Sequence, residues 1–455
     1  MTRSSKRSWK KWPARDDRTR SRHAGRLFFR LFLILAAFQA GGNVARGYVR
    51  MVLEGKVLKW STSTLSWRLN KTAPPGIADG SHAVALEHAF QAWEDLPGSK
   101  VRFNRKANTS SRNVNTSDHI IFFDGNNHSG FFPPGSGIVA ITPISFEIGT
   151  GRILDADILF NSQDFDFSTD GSPGRYDLQD VAAHEIGHFI GLDHSPLLSS
   201  TLWPFVAPRQ WLHRSLSPDD AAGGTAVMSR GTDSVLSGRL FKSDASVLKG
   251  GLVVAVHAED GRVAGSVLSD KNGNWTLRGL SAGNFFVYAA PVEGSFQQDN
   301  LTGETPLQTD FGVTFYGGFS NPAVHPLGAS SSLDCGSLTG RPDSPLLDSA
   351  GTPLLIHPGE SRPLTLSGAG FPPGGLSLAD LSPAITLSGV NNGSNWVQAT
   401  VTVSPSCPLG TYDLYLTTAS GDLEAASGAL EVVAPAPVLA GGAPPGGGVG
   451  GGTRG

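Results

Sequence analysis

Cysteine is nearly absent. The 455-residue chain holds two, Cys335 and Cys407, and none before them. That gap excludes a cysteine nucleophile or a cysteine-ligated zinc site from the first 334 positions. In an oxidising compartment the two thiols can pair, although two cysteines this far apart leave a bridge and two free thiols equally open. Methionine (3) and tyrosine (6) are also scarce, while glycine (57) and proline (30) abound, which favours many turns and short strands over helical bundles. The net charge of −3 hides an asymmetry, because residues 1–30 carry 11 Lys/Arg against Asp16 and Asp17. The remainder is acidic, which argues against nucleic acid as a partner.

Long apolar runs are missing as well. LFLILAAF at 31–38 follows the basic head and precedes the small residues of QAGGNVA. It is too short to anchor stably across a bilayer, and the order of segments is that of a secretory signal. Residues 1–40 are therefore expected to be a signal peptide, cleaved near Gly41, and the mature chain to be secreted. A non-cleaved anchor is the alternative.

Several domains are expected at this length. Residues 41–232 mix element types. SHAVALEHAFQAWEDL (81–96) spaces Val84, Leu86, Ala89, Phe90 and Trp93 for a helix. HIIFFDG (119–125), GIVAIT (137–142) and the alternating ILDADILFN (153–161) read as strands. From about Val235 short alternating strands and Gly/Asn/Asp turns take over, with Asp270–Asn274 as a hairpin signal. The expected divisions are a β-sandwich at 235–325, a linker at 326–345, a second β-sandwich at 346–433 and a disordered Gly/Pro-rich tail at 434–455. Asn-x-Ser/Thr triplets, Asn300-Leu301-Thr302 among them, arise easily in such a composition and carry no reading.

The chemistry is concentrated in HEIGHFIGLDH, 184–194. DLQDVAAHEIGHFIG (177–191) reads as a helix with Asp177 as N-cap, Asp180 favouring the positive helix end, and Leu178, Ala182, Ile186 and Phe189 as its apolar stripe. His184 and His188, four residues apart, stack one turn from each other, so both imidazoles can reach one divalent ion. Gly191 supplies the backbone freedom to end the helix, after which His194 can approach the same ion. Three imidazoles leave a fourth tetrahedral position for water, the mark of a catalytic zinc site rather than a structural one. Glu185 is placed to take a proton from that water and return it to a leaving amine.

His184, Glu185, His188, Gly191 and His194 together resemble the metzincin zinc proteases, and LDHS after the glycine resembles their matrixin branch. Helix 81–96 with Trp93, ILDADILFN, and SPDDAAG (217–223) extend the resemblance over about 45–230. It implies an α+β catalytic domain: a mixed five-stranded sheet with backing helices, a cleft above the zinc, and a protein or peptide substrate added as an edge strand, for which GIVAIT is the candidate. Three departures stand out. The methionine of the metzincin turn is replaced by Leu202, a near volume-conserving change. No propeptide cysteine precedes Cys335. A histidine-rich loop for a second zinc is not evident, and His119 and His128 read as surface residues. Trp203, Pro204 and Phe205 are placed either to wall the pocket beside the scissile bond or to form a buried patch. Asp155, Asp157, Asp164 and Asp166 read either as a structural calcium site, which the resemblance allows, or as a solvated face.

Residues 235–291 resemble carboxypeptidase-regulatory-like modules, and 360–433 resembles IPT/TIG-type immunoglobulin-like modules. Neither carries a catalytic cluster, so both read as spacers or adhesive modules. The leading reading is a secreted zinc endopeptidase acting on extracellular proteins. The competing one is an exported adhesive or structural protein whose metzincin-like domain is inactive, with Leu202 as its only support.

Overall fold

The computed structural model describes residues 49–114, 116–208, 212–228, 234–303, 305–342, 353–372 and 374–434. The expected signal segment, and the tail from 435 on, lie outside them. No helix among the described residues is long and apolar enough to cross a membrane.

The helical spacing at 81–96 becomes α1 (Ser81–Glu94), which buries Ala85, Leu86, Ala89, Phe90 and Trp93. Val84, expected on that face, is instead 49% exposed. It lies two residues from Leu86, and positions two apart on a helix point to opposite sides. Five strands form the main sheet: β1 (Thr64–Leu69), β2 (Arg102–Arg105), β3 (Ile120–Phe123), β4 (Ala140–Ile141) and β5 (Ile158–Phe160). Their order is β2-β1-β3-β5-β4. All neighbours are parallel except β4, which runs antiparallel to β5 at the sheet edge. Strands β3 and β5 are buried throughout because both faces are covered. Ile121, Phe123, Ile158 and Phe160 face the core shared with α1 and α2 (Leu178–Phe189), while Ile120, Phe122 and Leu159 pack with Phe131 and Phe132 on the other side.

The alternating stretch 153–161 is not one strand. Arg152–Ala156 pairs with Ile144–Glu147 in a separate ribbon, and the chain joins the main sheet only at Ile158. Asp157 marks the break: its side chain accepts from the Ile120 amide at 2.6 Å. Asp155 is 2.7 Å from His119 Nδ1. Both aspartates are therefore buried, not solvated, while Asp164 and Asp166 are exposed. The four do not converge on a common point: among the described residues, only the three histidines discussed below bring three potential ligand atoms together. His119 likewise departs from its surface reading, since its ring sits edge-on to Trp60 and Phe189. His128 is exposed.

Beyond α3 (Pro218–Met228) the chain is all β. In the first β unit Ser234–Phe241 lies between Asn274–Leu280 and Ser332–Thr339, and faces a sheet built around Leu252–His257 and Gly283–Ala290. Leu236, Val253, Trp275, Phe285 and Val287 fill the space between them. Ser332–Thr339, inside the segment 326–345 expected as a linker, thus supplies a strand of this unit. The run SLDCGSLT buries little more than Leu338, which gives it the polar look of a linker. The Asp270–Asn274 turn forms, with the Asn272 and Asn274 amides on the Asp270 carboxylate. It crosses between the two sheets rather than closing a hairpin. In the second unit Leu354–Ile356, Ser377–Ala379, Gly410–Thr417 and Leu423–Val432 face Ser361–Ser367, Ile385–Asn392 and Trp396–Val403. Both cysteines are free thiols.

The β units are not held at a distance as spacers would be. Leu197, Leu198 and Trp203 from the α/β unit share one buried core with residues of both β units. Asp219 of α3 accepts from Ser195 Oγ at 2.7 Å and from the Ser266 amide at 2.6 Å.

Candidate metal centre

Helix α2 begins as its sequence dictates. The Asp177 side chain accepts from the Asp180 amide at 3.0 Å, and Arg214 clasps the same carboxylate through Nε at 2.9 Å and a terminal nitrogen at 2.5 Å. Leu178, Ala182, Ile186 and Phe189 are all fully buried. At the far end the Gly191 amide donates to His188 O at 2.9 Å and the Leu192 amide to Gly187 O at 3.0 Å. This is the paired bonding of a Schellman cap, and Gly191 sits at its left-handed position with φ +101°. A side chain here would also bring a Cβ within 3.1 Å of Leu58 O. Trp60 Nε1 donates to Phe189 O at 2.7 Å, which satisfies a carbonyl that the helix end leaves open.

The cap delivers His194 beside His184 and His188, and the three ligand atoms fall within 4.8 Å of one another. Nε2 of His184 and Nε2 of His188 are 3.0 Å apart. Each ring has a backbone carbonyl at its other nitrogen: Thr201 O for His184 (2.7 Å), Leu192 O for His188 (2.9 Å) and Asn300 O for His194 (2.6 Å). With Nδ1–H donated outward, every Nε2 presents a lone pair to the shared point, which is the tautomer a metal requires. Burial and the mutual repulsion of the rings hold His184 well below its ordinary value, and burial pushes His188 down to about 3. Burial lowers His194 as well. Neutral imidazoles meeting at one point fit a zinc ion.

Glu185 faces the same space and is 4% exposed. Burial raises its carboxyl to about 7, opposed only by Thr142, whose Oγ1 donates to Oε2 at 2.5 Å. Beneath the helix, Leu202 is buried against Gly187: a Cβ on that glycine would fall 2.6 Å from Leu202 Cδ2.

Residues 59–227 match the family model for matrixin. This segment is a matrixin-like domain. Matrix metalloproteinase-20 of Homo sapiens is 30% identical over 171 residues, 37% of this chain and 32% of that protein. Neutrophil collagenase of Homo sapiens is 29% identical over 37% of this chain and 33% of its own. Metalloendoproteinase 4-MMP of Arabidopsis thaliana is 28% identical over 30% and 41%. The chain thus spans less than half the length of each. Among solved structures, the major pilin subunit of Bacillus cereus aligns at 10% identity over 42% of this chain and 66% of its own, with a TM-score of 0.16, too low to bear on the fold.

The cleft of the matrixin-like domain has a volume of about 430 Å³ and runs from residues 137–142, which include β4, past the three histidines. Trp203, Pro204 and Phe205 line it; Trp203 is buried and Phe205 is 48% exposed. Thr142, His213 and the pair Asn300 and Thr302 also line this space and escaped the sequence reading. Thr142 closes the GIVAIT segment, which the matrixin resemblance put at the sheet edge. Nothing in the local sequence marks the other three.

Proposed function

We propose that the chain is a secreted zinc metalloendopeptidase that hydrolyses peptide bonds of extracellular proteins. The observation that carries this reading is the convergence of three Nε2 atoms, each with its Nδ1 committed to a carbonyl, beside the buried Glu185 carboxyl. His184, His188 and His194 would hold the zinc, which when bound supplies Lewis-acid polarisation and an acidified water.

The remaining work belongs to the chain itself. Glu185 takes a proton from the attacking water and returns it to the leaving nitrogen. Thr142 fixes that carboxylate by its hydrogen bond. Strand β4 has one edge committed to β5, so its free edge can pair with a substrate backbone laid across the cleft. Trp203 and Phe205 supply apolar surface for a side chain next to the scissile bond. Export rests on the basic head and LFLILAAF, and the two β units read as β-sandwich modules at 235–342 and 353–433.

The test is zinc stoichiometry together with casein cleavage, for the chain and for Glu185→Ala. One zinc per chain in both, with cleavage only in the unsubstituted protein, is the expected result. Zinc in both with no Glu185-dependent cleavage of casein or a broad peptide library would leave the inactive, adhesive alternative standing.

A further inference from the structure

Two of the three histidines lean on carbonyls close in sequence, Leu192 and Thr201. His194 does not. Its Nδ1 lies 2.6 Å from the carbonyl of Asn300, 106 residues downstream in the first β unit. Asn300 sits on the loop that follows strand Gly283–Ala290, at the end of a single 3₁₀ turn, Gln298–Asn300. The turn is braced from within: the Gln297 amide donates to Asn300 Oδ1 at 2.7 Å, and the Asn300 amide to Gln297 O at 3.0 Å.

The loop is also fastened to the matrixin-like domain on either side of that carbonyl. Thr302 donates to Asp193 Oδ2 twice, from its amide at 2.8 Å and its hydroxyl at 2.5 Å. The Val52 amide donates to Thr302 Oγ1 at 3.2 Å. Phe296 packs on Trp203 with ring centroids 5.8 Å apart. Asp299, Asn300 and Thr302 face the same cleft as the histidines.

We propose that this β-unit loop is a working part of the metal centre, with the Asn300 carbonyl as the positioning partner of His194 and Thr302 as the clamp that holds it in place. The inference rests on reading the three histidines as zinc ligands. His194 needs such a partner most. It lies beyond the helix, so no helical backbone fixes its ring, and an imidazole without an acceptor for Nδ1–H is free in both rotation and tautomer. Outer partners of this kind are typically worth 10–100-fold in metal affinity. By reciprocity, a bound metal would tighten the docking of the β unit by the same factor. The β unit therefore completes the site of the matrixin-like domain rather than trailing behind it.

The carbonyl itself cannot be deleted by a side-chain change, so the test releases its braces in the full chain. Thr302→Val removes the hydroxyl clamp at nearly constant shape, and Asn300→Gly in addition frees the turn. The zinc dissociation constant is read by chelator competition, and ligand geometry from the visible spectrum of the cobalt(II) form. The double variant should bind zinc about 10–100-fold more weakly with an altered cobalt spectrum. Thr302→Ser, which keeps the hydroxyl, should stay within about twofold of the parent. Asp193→Asn weakens the same clamp from the other side and should follow the double variant. Metal-free melting temperatures confirm that each variant folds. Unchanged zinc affinity and an unchanged cobalt spectrum in the double variant and in Asp193→Asn would overturn the proposal while leaving the zinc reading intact. A parent chain that binds zinc no better than His194→Ala would remove the zinc reading itself, and this proposal with it.

Discussion

Replacing Glu185 by Gln should make the metal-free protein more stable at pH 8 and sharply lower the activity of the zinc form. Burial raises the Glu185 carboxyl from 4.5 to about 7, so the folded state holds that proton more tightly than the unfolded chain. Below about 4.5 both states are protonated and no penalty exists. Stability is then lost as pH climbs from 4.5 to 7, and above 7 the full cost of a buried carboxylate is present. At ~1.4 kcal/mol per pH unit the displacement amounts to about 3 kcal/mol. Gln has the same shape and can accept the Thr142 hydroxyl, but it cannot ionise.

Any strain of burying the new amide is the same at every pH, so the informative quantity is the slope of the difference. Urea titrations of chelator-treated parent and Glu185→Gln should diverge in favour of the variant by about 3 kcal/mol between pH 4 and pH 8. Zinc should shrink that divergence, because a nearby cation favours the carboxylate. In the zinc form, loss of the proton acceptor should lower kcat/KM by about 10²–10⁴. A difference that stays flat across the pH range would refute the argument, since it would mean the carboxyl is not desolvated in the folded protein.

Thr142→Val removes the one hydrogen bond that favours the ionised Glu185, so the acid limb of the kcat/KM profile should move to higher pH while activity near pH 9 is largely kept; an unmoved limb would detach Thr142 from the base. Trp60→Phe leaves the Phe189 carbonyl without its partner and should cost about 1 kcal/mol in urea unfolding, with zinc binding retained. Gly191→Ala demands a left-handed residue beside Leu58 O, and should cost upward of about 1 kcal/mol and weaken zinc binding, because the same turn aims His194. Leu202→Met should change stability by less than about 1.5 kcal/mol and leave kcat/KM within a few-fold, since it nearly conserves the volume packed under Gly187.

What could be read in advance was local and periodic. Asp177 as cap, the apolar stripe of α2 and the glycine turn each follow from spacing, and the structure builds all three. A strand was legible within GIVAIT from its short apolar run, and its place at the sheet edge was what the matrixin resemblance implied. The failures share a cause. Alternation in ILDADILFN says that side chains take opposite faces, but not that a buried aspartate will cut the strand by binding a neighbouring amide. Polarity in 326–345 looked like a linker because an outer strand with one buried leucine has almost the same composition. His119 looked like a surface residue because its partner, Asp155, lies 36 positions away.

The same limit bears on the candidate metal centre. Ligands are side chains of a distinctive type, and their spacing on a helix is dictated by its pitch. Their outer partners here are carbonyls, which every residue carries, so no sequence pattern can mark Asn300 or Thr201 as different from their neighbours. Only the fold decides which carbonyl arrives. For His184 and His188 that decision stays within the matrixin-like domain, but for His194 it depends on how a β unit docks. Leu197, Leu198 and Trp203, apolar residues within nine positions after His194, are buried among β-unit side chains. The apolar segment after His194 thus packs against the β units, the first of which also supplies the carbonyl at its Nδ1.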